Sequence, residues 1–322
     1  MIKKLFTVLI LLNFGLLFAA SAKYESENYN LNLHYNDVIT PGDAIFVRMN
    51  ISVPKNHKKA KSDSERKATL QMLQDKKVIE SAPFYQLKSK KNGNTEMLCG
   101  IPVSLWLKEG NYSIKVIYAD TDTDVKEFIL PSRLQMRTFP EEVLHLDDRN
   151  TSIKTDNSPE RAAQIDKLND ILFTTMPSDI FSLKKFTTPT ESQRYTAYCG
   201  DRRTYVYTNG KSSTSLHYGN DYGVPTGTEV KACAAGKVVM AENRISTGWS
   251  VVVEHLPGLY SLYYHMSELS VKEGDMVNQG QLLGKSGATG LATGPHLHWE
   301  VRLNGSAVRP EFFLNDFTFE ED

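Results

Sequence analysis

Cysteine is scarce in this sequence: three in 322 residues, Cys99, Cys199 and Cys233, with no C-x-x-C pair. That excludes a tetrathiolate zinc site and a disulfide-built scaffold. A transition metal bound here has to rely on histidine and carboxylates. An excess of either charge is also missing, with 37 Lys+Arg against 38 Asp+Glu and a net charge of −1. A general nucleic-acid binder would carry a basic surplus, so that class is set aside. Hydrophobic residues make up 40% of the chain, which together with the small net charge argues against disorder. There is no internal repeat and no low-complexity tract. Past the first 18 residues no run is apolar enough to span a bilayer, which takes about 20 residues. The length itself predicts two domains.

What is present starts with a leader. Lys3 and Lys4 precede an apolar run, Leu5–Phe18, broken only by Thr7, Asn13 and Gly15, and Ala20-Ser21-Ala22 supplies an A-x-A cleavage motif. We read residues 1–22 as a signal peptide rather than an anchor, since the run is short for a span. No cysteine follows the run, which argues against lipoprotein processing. Loss of the two lysines takes the net charge from −1 to −3. The expected destination is extracytoplasmic: periplasmic, secreted or associated with the cell wall, with no stable membrane span once the leader is cut. In that oxidising setting Cys199 and Cys233, which fall in one expected domain, either pair or stay as thiols.

Residues 23–130 read as a β-sandwich, immunoglobulin-like in its repeated short strands and turns. Tyr29, Leu31, Leu33 and Tyr35 alternate with Asn30, Asn32 and His34; Ile45 to Val53 repeats the period after the Pro41-Gly42-Asp43 turn; Gly110-Asn111 leads into Tyr112, Ile114, Val116 and Tyr118. The charge-dense stretch Lys55–Lys67 reads as a solvated loop. Residues 131–190 are expected to connect, with one helix from Pro159 to about Phe173. Ser158 is its N-cap, Pro159 and Glu160 open it, and Ala162, Ile165, Leu168 and Leu172 recur at helical spacing. Residues 191–322 are again all-β, with turns at Pro225-Thr226-Gly227, Ala235-Gly236, Pro257-Gly258 and Glu273-Gly274-Asp275, and no room for a βαβ unit.

This last domain holds the chemistry. In His296-Leu297-His298 a strand would turn both imidazoles to one face and Leu297 to the other. His217-Tyr218-Gly219-Asn220-Asp221 puts a carboxylate four residues after a histidine, with Gly219 allowing a tight path. His265 follows Tyr263-Tyr264. Several histidines with one aspartate make a zinc-type donor set that leaves imidazoles over for proton transfer. His255, beside the Pro257-Gly258 turn, reads as a surface or structural residue.

From Gly200 to Phe313 the sequence resembles the LytM/lysostaphin-type zinc metallopeptidases, which cut peptide bonds in bacterial peptidoglycan. The resemblance rests on Gly200-Asp201-Arg202-Arg203, His217-x-x-x-Asp221, Pro225-x-Gly227-Thr228-x-Val230-x-Ala232, Gly236-Lys237-Val238 and Glu254-His255. It continues through Tyr264-His265, Gly274-Asp275-x-Val277-x-x-Gly280-Gln281-x-x-Gly284, Gly287-x-Thr289-Gly290 and Gly294-Pro295-His296-Leu297-His298-x-Glu300. It implies an antiparallel β barrel-sandwich of the duplicated hybrid motif type. It implies that His217, Asp221 and His298 bind Zn²⁺, that His296 is the general base, and that His265 hydrogen-bonds the developing oxyanion or assists proton transfer. It implies a peptidoglycan peptide as substrate. Either Tyr205 or Tyr207 would be an oxyanion-assisting tyrosine, or neither. Two other readings are weighed. Some relatives lose ligands and act as non-catalytic activators of other wall hydrolases, but all five residues stand here. The Gly274-to-Gln281 pattern also occurs in lipoyl- and biotinyl-type carriers, but no lysine here suits a modified hairpin tip. The 24–190 region is expected to lower the activity of the domain that follows it.

Overall fold

A computed structural model describes residues 20–54, 66–89, 94–317 and 319. The expected signal peptide up to residue 19 and the charged loop at 55–65 lie outside the described residues. The chain divides into two compact units, Met1–Met136 and Arg137–Asp322. No helix among the described residues is long and apolar enough to cross a membrane.

The first unit is a two-sheet sandwich. One sheet runs Ala20–Glu25, Asn30–Tyr35, Ala44–Ser52, Thr95–Pro102, Tyr85–Ser89; the other runs Asp124–Leu130, Tyr112–Thr121, Lys67–Gln74, Lys77–Pro83. The period-two pattern is the cause. Leu31, Leu33 and Tyr35 point inward while Asn30, Asn32 and His34 are half-buried. Inward residues of both sheets meet in one core, where the Tyr29 ring stands edge-on to Tyr118, centroids 5.0 Å apart. Truncating one such side chain to alanine costs about 3–5 kcal/mol. The Ala20-Ser21-Ala22 motif lies in the first strand, with Ala22 opposite Leu33.

The second unit holds a larger sheet and a small one. In the small sheet Arg202–Val206 pairs antiparallel with Ser212–Leu216 and parallel with Glu141–His145. The expected connector therefore contributes a strand to this unit. It also holds two helices rather than one. Pro159–Phe173 is where the N-cap and proline put it, with Ser158 Oγ accepting from the Arg161 N–H at 3.2 Å. Leu172 packs with Met240, Val252, Tyr260, Leu262 and Tyr264, and Leu168 and Ile171 lie against that cluster. Ile165, read as part of the apolar stripe, is exposed instead: the apolar packing is made by the helix's C-terminal half. The second helix, Asp148–Thr155, has no apolar stripe, so periodicity gives no sign of it; Asp147 caps it by accepting from the Asn150 N–H at 2.7 Å.

The main sheet runs Tyr195–Ala197, Asn220–Tyr222, Leu297–Leu303, Leu259–Leu269, Gly248–Leu256, Gly236–Arg244, Met276–Val277. Leu282–Ser286 pairs with both Glu229–Lys231 and Leu259–Leu269. Both units are thus all-β, as the strand patterns and turns predict.

Candidate metal centre

Register brings the site together. In the main sheet Asp221 lies opposite His298, and His298 lies opposite Tyr264. Leu297 and Trp299 point the other way and are fully buried, so His296, His298 and Glu300 share the site face. The close approach at Gly219 is steric. A Cβ there would lie 2.3 Å from the Trp299 carbonyl oxygen, so any larger residue would push His217 and Asp221 away from the His298 strand.

His217, Asp221 and His298 offer ligand atoms that all lie within 4.8 Å of one another, and all three residues are buried. Their outer contacts fix the tautomers. His217 Nδ1–H donates to the Tyr198 carbonyl at 2.9 Å, and His298 Nε2–H donates to Glu300 Oε1 at 3.0 Å. In the neutral rings the inner nitrogens, His217 Nε2 and His298 Nδ1, are then bare. They lie 2.9 Å apart, and Asp221 Oδ1 is 3.0 Å from the first and 2.7 Å from the second. Three electron-rich atoms at that spacing call for a positive charge among them. Burial disfavours a charge on His298, yet Asp221 and Glu300 outweigh it and push the imidazole up to about 9. A metal cation answers the same demand, so the residues fit one.

Two arginines hold the acids in place. Arg203 donates to Asp221 Oδ2 at 3.0 Å and to Glu142 at 3.3 Å. Arg302 Nε donates to Glu300 Oε2 at 2.6 Å. Burial works against charge on Glu300, but Arg302 and His298 bring its carboxyl down to about 2. Arg203, Glu300 and the Tyr198 carbonyl went without a role in the sequence reading. For Glu300 a signal existed: it continues the period-two face of His296 and His298.

His265 and His296 stand beside this group, their ring centroids 4.7 Å apart. His296 Nε2 is 3.7 Å from Asp221 Oδ1, and its Nδ1–H donates to the Gly294 carbonyl at 2.8 Å. His265 Nδ1–H donates to the Thr289 carbonyl at 2.8 Å. Burial and the neighbouring His296 and His298 push the His265 imidazole down to about 3, which keeps it neutral. A neutral His265 tied at Nδ1 presents a lone pair at Nε2, so its geometry suits accepting a hydrogen bond better than donating one to an oxyanion.

The five predicted residues line one cavity of about 480 Å³. Tyr205 lines it too, whereas Tyr207 bonds Ser213 at 2.5 Å in the Arg202–Val206 hairpin and does not. His255 is fully buried, not a surface residue. Its Nδ1–H donates to the Ala235 carbonyl, and Nε2 lies 2.7 Å from Ser261 Oγ and 3.7 Å from Cys233 Sγ. All three cysteines are buried free thiols, so the Cys199–Cys233 pairing is not formed.

Residues 215–310 match Peptidase family M23. The DD-carboxypeptidase/endopeptidase Mpg of Neisseria meningitidis serogroup B is 43% identical over 95 residues, 30% of this chain and 22% of that protein. Peptidoglycan DD-endopeptidase ShyA of Vibrio cholerae is 42% identical over 92 residues, 29% of this chain and 21% of that protein. The chain thus spans about a fifth of the length of these curated relatives. A crystal structure of a putative peptidase M23 from Pseudomonas aeruginosa shares the fold, with a TM-score of 0.53 at 23% identity over 87% of this chain and 96% of that one. Residues 215–310, which hold the His217, Asp221 and His298 group, are thus a peptidase family M23 domain.

Proposed function

We propose that the protein is an exported zinc metalloendopeptidase that hydrolyses peptide bonds in the stem or cross-bridge peptides of bacterial peptidoglycan. The observation that carries this reading is the convergence of the inner imidazole nitrogens of His217 and His298 on the Asp221 carboxylate, beside two further histidines in one cavity. His217, Asp221 and His298 would hold Zn²⁺. Bound there, the ion supplies a Lewis acid that acidifies water and polarises the scissile carbonyl.

The remaining steps belong to the chain's own groups. His296 Nε2 takes the proton of the attacking water, and the imidazolium so formed is favoured by Asp221 at 3.7 Å. His265, held neutral, orients that water by accepting a hydrogen bond at Nε2. His296 then returns the proton to the leaving amine. The Tyr205 hydroxyl, on the cavity wall, donates to the developing oxyanion. The Arg203–Asp221 and Glu300–His298 contacts keep the donor set oriented. Since the whole donor set converges, the geometry favours an enzyme over a non-catalytic activator of other wall hydrolases.

The proposal includes regulation: of the 24–190 region expected to lower the activity, residues 137–190 belong to the unit that carries the site, so the effect falls to the residues before Arg137. Equal rates for the whole chain and for residues 137–322 would discard that part. For the main reading, purified protein is incubated with several peptidoglycans, with and without a chelator, and the fragments are weighed by mass spectrometry. Chelator-sensitive peptide cleavage is expected; no such product from any wall would overturn the reading.

A further inference from the structure

The helix Asp148–Thr155 precedes the family-matched segment, yet it forms part of the cavity wall. Arg149 Nη2–H donates to the Gly290 carbonyl at 3.0 Å, and the buried Asn150 donates to the Ala292 carbonyl at 3.3 Å. Both carbonyls belong to the loop that runs into His296. The helix is therefore pinned to the site by two of its polar side chains. One turn later Lys154 lines the same cavity, with Nζ 4.2 Å from the centroid of the Tyr205 ring.

The charges around the cavity are otherwise committed. Asp221 and Glu142 are bonded to Arg203, and Glu300 to Arg302 and His298. Arg161, close to Lys154, donates to Ser246 Oγ and to the Asp156 carbonyl. Lys154 is half-buried, and among the described residues no carboxylate pairs with it. Burial, Arg161 and Arg203 all act to lower its pKa, as expected for a cation among cations. A half-buried ammonium with like-charged neighbours and an open cavity in front is an arrangement completed by an anion.

We propose that Lys154 is a substrate-specificity residue that receives a free carboxylate of the peptide bound in the cavity. This rests on the peptidase reading for the identity of the ligand. The Tyr205 ring holds the ammonium from one side and leaves its other N–H groups for the ligand. Lysine rather than arginine suits a single carboxylate oxygen approached from one direction, as a compact charge with rotatable donors. The consequence is a preference for stem peptides whose carboxylates are free over the same peptides with those groups amidated.

The test is a binding experiment, so that it does not depend on turnover. The whole protein, in chelator so that nothing is cleaved, is titrated calorimetrically with a stem-peptide fragment bearing free carboxylates and with its fully amidated form. The wild type should bind the free acid about tenfold more tightly, the size of one partly exposed charge-assisted contact. Lys154→Met should remove that preference and Lys154→Arg should keep part of it. Circular dichroism and the melting temperature show whether each variant is folded; if Lys154→Met unfolds, Lys154→Gln serves in its place. Equal binding of acid and amide by the wild type, or a preference that survives loss of the ammonium, overturns the proposal. A failure of the peptidase reading shows separately, as no chelator-sensitive cleavage of either peptide by the metal-loaded wild type.

Discussion

Two buried histidine clusters lie in the second unit, and they differ in what their inner nitrogens face. At His255 the Nδ1–H is given to the Ala235 carbonyl, and the Nε2 lone pair looks at a hydroxyl and a thiol that can donate to it. Ser261 in turn bonds the Tyr263 hydroxyl at 2.9 Å, which accepts from the Cys233 N–H at 2.9 Å. That cluster is complete. At His217 and His298 the outer nitrogens are equally well satisfied, but the inner ones face each other and a carboxylate. Burial and hydrogen bonding are alike in both; only the second has a place where a cation is wanted. Depth alone therefore does not tell a working histidine from a structural one, whereas donor–acceptor accounting does.

The largest effect expected is at the open cluster. His298→Ala should abolish metal retention and lower peptide hydrolysis about a thousandfold, several kcal/mol of barrier lowering, in a variant that circular dichroism shows to be folded. Metal analysis and a peptidoglycan assay read the two. Retained metal with full activity would erase the distinction between the clusters. His255→Ala should do the reverse: a loss of about 3 kcal/mol in denaturant unfolding, with metal content preserved.

The closed cluster also has a pH signature. Burial pushes the His255 imidazole from 6.5 down to about 4. Its contribution is therefore fully present above pH 6.5 and is lost as the pH falls towards 4, because the unfolded chain takes up a proton that the folded one refuses. The gap between wild type and His255→Ala should shrink by about 3 kcal/mol across that window. The neighbouring Glu254 acts in the opposite sense. Burial and Asp179 raise its carboxyl to about 7, so stability falls as the pH rises from 4.5 to 7. Subtracting the variant's curve isolates His255; a gap that stays constant with pH would sink the assignment.

Smaller effects should sharpen the contrast. Glu300→Gln leaves every ligand in place but weakens the hold on His298, and metal affinity should drop about 10- to 100-fold in a competition titration. Undiminished affinity would show that His298 needs no outer partner. Smallest is the pair of tyrosines. Tyr205→Phe should cost about tenfold in kcat with KM near constant, and Tyr207→Phe less than about twofold. The opposite order would move the oxyanion donor out of the cavity.

The sequence was most informative where one local pattern determines one outcome. Alternation at Tyr29–Tyr35 and the Ser158-Pro159 start of the Pro159–Phe173 helix each state their element outright. His296-x-His298 put both rings on one face because a strand has no choice in the matter. It was least informative where partners come from afar. The parallel pairing of Glu141–His145 with Arg202–Val206 joins segments about sixty residues apart, and neither carries a mark of the other. The Asp148–Thr155 helix has one apolar residue, Ile153, so it is specified by a cap and by docking, not by a stripe. For His255 the turn that follows leaves surface and structural roles equally open, and the strands around it, which bury it completely, decide for the structural one.

His265 has a φ of +59°, a left-handed backbone that a residue with a Cβ seldom adopts. Its N–H is tied to the Thr247 carbonyl at 2.8 Å and its ring to Thr289, so the loops on both sides hold it there. The imidazole is thus mounted on a backbone under tension. The usual exchange for alanine would remove the ring and also the tether that holds the chain in that state, and a loss of rate would not say which mattered. Asparagine, which accepts this backbone more readily than other side chains, is the replacement that tests the ring and spares the mount.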